Sequence, residues 1–206
     1  MTLFRMENDR RPEASALPIV ALTGGMGTGK SYVCRLLAER GIAVYDCDDA
    51  AKRLMRESES LRRELIRLAG PAVYSGAQLQ KAELARFLLA SDANREAING
   101  VVHPAVARDF LQSGYTWLES AILFDSGFHR RVHFDAIVCV SAPLEVRVKR
   151  IMERDGLTRG RALQWIGQQW PQEKVRAGSD YEIVNDGSRE LYPQIDGIIS
   201  KLYHKH

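Results

Sequence analysis

The stretch Ile19–Gly41, IVALTGGMGTGKSYVCRLLAERG, joins a short apolar run to an amphipathic one through four glycines crowded between Gly24 and Gly29. Glycine loses more backbone entropy on folding than any other residue, so the crowd weakens helix and strand alike unless something offsets it. On one side Pro18–Thr23 reads as a buried strand. On the other, Val33, Leu36, Leu37 and Arg40 recur at helical spacing and Gly41 is a stop signal. Between them residues 24–31 fit G-x-x-x-x-G-K-[ST] in the strand-to-helix setting that motif requires. Bare glycines let consecutive N–H groups turn inward as an anion nest, and the following helix adds the positive end of its dipole. A bound polyphosphate is what offsets the ordering cost. Gly25, Met26, Gly27, Thr28, Gly29, Lys30, Ser31 and Tyr32 are therefore the expected ATP-binding segment. Lys30 is expected on the β- and γ-phosphates, and the Ser31 hydroxyl in a Mg²⁺ shell.

Outward from the motif, Ile42–Asp46 reads as a second strand, and Thr116–Asp125 (TWLESAILFD) as a third whose first half is ambiguous. Asp135–Ser141 reads as a fourth strand and Glu182–Asp186 as a fifth. Short apolar strands alternating with helices argue for an α/β fold, a parallel sheet with helices on both faces. From Asp48 to about Gln112 the pattern is almost wholly helical, too long for one crossover, so an inserted helical sub-domain is expected. The expected division is a tail over 1–17, a core of 18–48, 114–150 and 180–206, a helical substrate-binding unit over 49–113, and a lid over 151–179.

The 206 residues are 45% hydrophobic and 27% charged, ordinary for a globular chain. No apolar run reaches membrane-spanning length, and residues 1–17 lack the apolar core of a secretory signal. A net charge of +3 is too small to imply nucleic acid. Cys34, Cys47 and Cys139 show neither metal spacing nor a disulfide framework, which points to a reducing, cytoplasmic setting. Acids flanking Cys47 are expected to keep its thiol protonated. A monomer and a small homo-oligomer both remain open.

A guanine-reading N-K-x-D and a switch D-x-x-G are both absent, which argues against a GTPase; the size suits a small-molecule kinase. Such a kinase needs an acid near the acceptor hydroxyl. The second strand ends in Asp46-Cys47-Asp48-Asp49 and the third in Leu123-Phe124-Asp125, and carboxyl ends of parallel strands face the ligand crevice. Asp46 and Asp48 are expected to serve the chemistry, one holding Mg²⁺ and one accepting the hydroxyl proton; Asp125 is a further candidate. Asp49 is expected to cap the next helix instead. The kinase also needs cations. Between Arg147 and Arg176 eight basic residues face only three acids. Arg147, Arg150 and Arg154 share a helix face, and Asp155-Gly156 makes a hinge-like break after it. Arg150 and Arg154 are the expected phosphoryl-neutralising pair, on a lid that excludes water. His103, before Pro104, is expected either to touch substrate or to cap a helix. Trp165, Trp170 and Tyr181 are read as core aromatics or as adenine stackers.

Six stretches resemble the dephospho-coenzyme A kinase family: LTGGMGTGKS (Leu22–Ser31), YDCDD (Tyr45–Asp49), Val102-His103-Pro104, LFDSG (Leu123–Gly127), RIMERDGLTR (Arg150–Arg159) and DYEIVNDGS (Asp180–Ser188). The resemblance runs nearly end to end. It implies an adenylate-kinase-like P-loop NTPase fold with a core, a helical coenzyme A sub-domain and a lid. It implies transfer of the ATP γ-phosphate, with Mg²⁺, to the ribose 3′-hydroxyl of dephospho-coenzyme A. It makes Asp48 the general base, Gly27–Ser31 the ATP loop, and Arg150 and Arg154 hinge arginines. Asp46, Asp48, His103 and Asp125 become expected substrate contacts, and Ser31 and Asp46 expected metal contacts. The chain departs from the pattern at Tyr32, Ala121, Asp125, Val184 and Trp165; the last stands where a lid arginine is frequent, for which Arg161 is the nearest substitute. Two alternatives remain: a kinase of this fold with a nucleoside, nucleotide or shikimate-like acceptor, and a non-catalytic nucleotide sensor.

Overall fold

The computed structural model describes residues 17–203; the expected N-terminal tail lies outside them except for Leu17. Five strands form one parallel sheet in the order β2-β5-β1-β6-β7: β1 (Val20–Thr23), β2 (Val44–Asp46), β5 (Trp117–Glu119), β6 (Ala136–Ser141) and β7 (Tyr181–Val184). The remaining two, β3 (Tyr74–Ser75) and β4 (Gln78–Leu79), pair as a small antiparallel hairpin. β1 sits centrally, paired with β5 and β6, so the loop that leaves it emerges mid-crest.

Strand alternation divides the core. Val20, Leu22, Trp117, Val138 and Val140 pack with α1 (Lys30–Ala38) and α9 (Leu191–Tyr203). Ala21, Leu118 and Cys139, one residue out of phase, face the helical block. That block is α2 (Cys47–Glu57), α3 (Glu59–Ala69), α4 (Lys81–Ala90) and α5 (Asp92–Ser113). It is inserted between β2 and β5, which are themselves sheet neighbours. Its buried side chains, among them Leu65, Ile98 and Phe110, belong to the same cluster as that sheet face.

Residues 47–69 form two helices, split where Ser58 caps α3 by accepting from Leu61 N. Three readings of the sequence are corrected. The predicted third strand stops at Glu119, and residues 121–127 form turns, so Asp125 is not a strand terminus. The fifth strand is Tyr181–Val184, ending before Asn185 and Asp186. Pro104 starts no helix: α5 runs through it. An interior proline costs about 3 kcal/mol, but α5 buries Ile98, Val102, Val106 and Phe110, and each such side chain contributes about 1.5–3 kcal/mol. Packing outweighs the local penalty.

After β6 come α6 (Leu144–Asp155), α7 (Arg159–Gly167) and α8 (Gln172–Ala177). α6 ends at Gly156, whose φ of 65° reverses the chain into α7.

Candidate active site

The β1–α1 loop is gripped from its protein side. Arg150 Nη1 donates to the carbonyls of Gly27 and Thr28 at 3.3 Å, and Arg150 Nη2 to Asn185 Oδ1 at 3.1 Å. Asn185 Nδ2 donates to the Thr28 carbonyl at 2.8 Å, and Thr28 Oγ1 to the Gly25 carbonyl at 2.8 Å. The Met26 peptide is held at both ends: its N–H donates to Gln169 Oε1 at 2.7 Å, and its carbonyl accepts from Arg147 Nε at 2.8 Å. Two glycines are required here by the protein as well as by any phosphate. At Gly27 (φ +74°) a Cβ would stand 2.6 Å from the Arg147 carbonyl; at Gly29 (φ +91°) it would meet Asn185 Nδ2. The loop then runs into α1, with Lys30 and Ser31 in its first turn and Tyr32 exposed beside Arg35.

Lys30 Nζ lies 3.6 Å from Glu119 Oε1 at the end of β5, both side chains largely buried. Burial holds Lys30 below the ordinary lysine value, with Glu119 opposing; burial pushes the Glu119 carboxyl up, with Lys30 opposing. The charge of Asp48 reaches Lys30 as well. Asp48, exposed in the first turn of α2, lines a cleft of about 250 Å³ between the sheet crest and the helical block, together with His103, Asn99, Ser120 and Phe128. His103 Nδ1 is buried without a hydrogen-bond partner, and its ring meets Phe128 edge-on at 6.2 Å. Mid-helix in α5, His103 caps nothing, which removes one of its two expected roles.

The other acids are used differently from the sequence reading. Asp46, not Asp49, caps α2: its Oδ1 accepts from Asp49 N at 2.9 Å. The backbone turns from strand to helix at Asp46, which places its carboxylate rather than that of Asp49 over the free N–H groups. Asp49 pairs with Lys52 in solvent. Asp125 Oδ2 accepts from Trp170 N at 2.8 Å and is not among the cleft residues. Trp170 stacks on Phe124 at 6.0 Å with Lys174 Nζ 3.4 Å above its ring, so this aromatic is used in packing. Cys47 is held protonated chiefly by burial, and secondarily by Glu119, Asp48 and Asp46. Arg154 pairs with the exposed Asp155, and Arg161 turns along its own helix to Gln164.

Four residues of the site carry no functional signal of their own in the sequence: Glu119, Arg147, Gln169 and Asn185. Glu119 ends β5 six residues before the acid at which the apolar pattern closes. The contacts of the others span 121 to 157 positions of sequence, beyond any local pattern.

A phosphate loop at the crest of a parallel sheet of this strand order, facing a carboxylate-bearing cleft, defines a P-loop small-molecule kinase. Residues 18–190 match the family model CoaE, dephospho-CoA kinase, and dephospho-CoA kinase of Bacteroides fragilis (strain YCH46) is 39% identical over 193 residues, 90% of this chain and 93% of that one. The chain belongs to the dephospho-CoA kinase family. Among solved structures, TT1252 from Thermus thermophilus is 34% identical with a TM-score of 0.76, covering 91% of this chain and 99% of that one. Dephospho-CoA kinase from Campylobacter jejuni, 18% identical with a TM-score of 0.63 over 91% and 98% of the two chains, shares the fold.

Proposed function

We propose that the protein transfers the γ-phosphoryl group of ATP to the ribose 3′-hydroxyl of dephospho-coenzyme A, giving coenzyme A and ADP, the last step of coenzyme A synthesis. One observation carries the reading: Lys30 of the phosphate loop lies 3.6 Å from Glu119, and the next residue, Ser120, lines the cleft together with Asp48. The donor loop thus borders the acceptor cleft. Amides of Gly27 to Ser31 cradle the phosphates. Lys30 exchanges Glu119 for the β- and γ-oxygens, and Asp48 takes the proton of the incoming hydroxyl. Arg150 braces the loop from behind; Arg154, free in solvent apart from Asp155, is the residue that lid closure brings inward.

The donors offered to Mg²⁺ are hard oxygens, as that ion requires: the Ser31 hydroxyl, exposed in the first turn of α1, and the Asp46 oxygen not used in capping. Bound there, the ion would neutralise charge shared by the β- and γ-phosphates.

The acceptor side also suits a long substrate. The cleft continues past Met55, Leu84 and Leu88 into a neighbouring cavity of about 520 Å³, apolar within and rimmed by Lys52, Arg56 and Lys81. An adenosine moiety in the first space puts its diphosphate near those cations and its pantetheine arm along the apolar wall. His103 and Asn99 are the polar groups available to the base or sugar; Asp46 and Asp125 are left to secondary roles. No described helix is long and apolar enough to cross a membrane, and all three cysteines are unpaired, which supports a reducing, cytoplasmic location.

An ADP-release assay with dephospho-coenzyme A, AMP, adenosine and shikimate as separate acceptors tests the reading. Turnover is expected with dephospho-coenzyme A, and coenzyme A should be its product by chromatography. Turnover confined to AMP or shikimate would replace this acceptor, and ATP binding with no turnover on any of them would make the protein a sensor.

A further inference from the structure

α6 carries three arginines toward one side, and the structure uses each differently. Arg150 is committed to two loop carbonyls and to Asn185. Arg154 sits in solvent on Asp155. Arg147 is only 5% exposed, yet no ion pair is formed by it among the described residues; Glu173 acts on it only at a distance. The one hydrogen bond of its side chain among the described residues is from Nε to the Met26 carbonyl. The terminal guanidinium nitrogens have no protein acceptor there and are not fully enclosed. Nη2 lies 2.5 Å from where a Cβ on residue 25 would project, with Gln169 Oε1 3.1 Å from the same point.

A guanidinium largely withdrawn from water without a counter-charge is costly, and buried charges in natural structures are paired. Burial holds Arg147 below the usual arginine value, with Glu173 opposing. The fork geometry of its free N–H groups matches phosphate oxygens. The loop it touches is the one built for a triphosphate, and it touches that loop at Gly25 and Met26, ahead of the amides of Gly27 to Ser31.

We propose that Arg147 is a phosphate-binding residue of this enzyme, oriented by the Met26 carbonyl and completed by the terminal phosphate of the bound triphosphate. The proposal rests on the kinase reading for its ligand, and it reassigns to Arg147 the neutralising role that the sequence gave reason to expect of Arg150. The Met26 N–H, already bonded to Gln169, is closed to phosphate; the guanidinium beside it supplies that edge of the site instead.

The test compares ADP with a non-hydrolysable ATP analogue, by calorimetric titration of the full chain and of its Arg147→Gln and Arg147→Lys variants. In Arg147→Gln the analogue should lose roughly ten- to hundred-fold more affinity than ADP does, the range for losing one or two charge-assisted hydrogen bonds. In Arg147→Lys that difference should be smaller. In thermal melts tripolyphosphate should stabilise the unaltered protein more than pyrophosphate does, and Arg147→Gln should erase that difference. Equal losses for ADP and analogue would make Arg147 a brace for Met26 and overturn the proposal, as would unchanged analogue affinity. If Arg147→Gln does not fold, Arg147→Lys gives the same comparison with the charge kept. Should the unaltered protein phosphorylate no dephospho-coenzyme A while the variants still separate ADP from the analogue, the acceptor reading fails and Arg147 keeps its role. Normal turnover with no such separation is the reverse case.

Discussion

The phosphate loop and the acceptor cleft beside it are built on different plans. The phosphate loop is fixed before any ligand arrives: Arg147, Arg150, Asn185 and Gln169, from three separate stretches, hold its backbone. The acceptor cleft is held by shape. Asp48 is exposed in the first turn of α2, His103 keeps an unpartnered nitrogen, and the space between them is lined mainly by apolar side chains. Charge that is to be received in one geometry needs prearranged dipoles. A flexible acceptor needs room and a few polar contacts, which its own binding energy completes. Variants in the two should therefore fail in different ways.

The largest difference is expected from Asp48→Asn. Losing the general base should lower kcat by ~10²–10⁴ with ATP affinity unchanged; steady-state kinetics beside nucleotide titration will show it, and a normal kcat would remove Asp48 from the chemistry. Gly27→Ala should fail in the loop. A left-handed conformation costs a residue with a Cβ about 1–2 kcal/mol, and here the Cβ also meets the Arg147 carbonyl at 2.6 Å. Urea unfolding should show a loss of at least that size, with ATP affinity falling too; a stable variant with intact binding would mean that the grip on the loop is dispensable.

Within α6 the comparison sharpens. Arg150→Met removes charged hydrogen bonds to the loop and to Asn185, each kind worth about 1.5–3 kcal/mol, and should lower both stability and nucleotide affinity. Arg154→Met should leave the melting midpoint nearly unchanged and affect turnover alone, since its bonds to Asp155 lie in solvent. Equal destabilisation by the two would contradict the contrast between the braced and the free arginine.

The smallest effect concerns His103. Burial, and then the positive charge of Arg131, hold it below the ordinary histidine value. The unfolded chain therefore binds the proton more readily than the folded one. Stability is fully present above the unfolded value of about 6.5 and is lost as pH falls through it. His103→Gln should flatten that acid-side decline in urea midpoints measured from pH 7.5 to 5.5; an identical decline would assign it to other groups.

The legible part of the molecule was the part written in short spacings. The phosphate loop lies within eight consecutive positions and its strand-to-helix setting within thirty, so motif and context could be read together. The inserted helical block was legible from periodicity, although its breaks were not: Ser58 reads as one more polar residue until its side chain is seen taking the N–H of Leu61. Asp125 misled because an apolar run ending in an acid resembles a strand end, while turns at residues 121–127 carry it away to the backbone of Trp170. The cap expected of Asp49 falls to Asp46, because a cap is decided by where the backbone changes direction, to within one turn.

The order of residues by itself determined a nucleotide-binding α/β protein, because glycine spacing, apolar alternation and the acids at the end of β2 are local consequences of chain chemistry; its kinase family was carried by the resemblance of whole stretches. Only the tertiary structure decided which charges are buried, paired or waiting. Burial depends on what the rest of the chain packs against each group, and Arg147 becomes an unmatched cation only once α6 is pressed onto the loop.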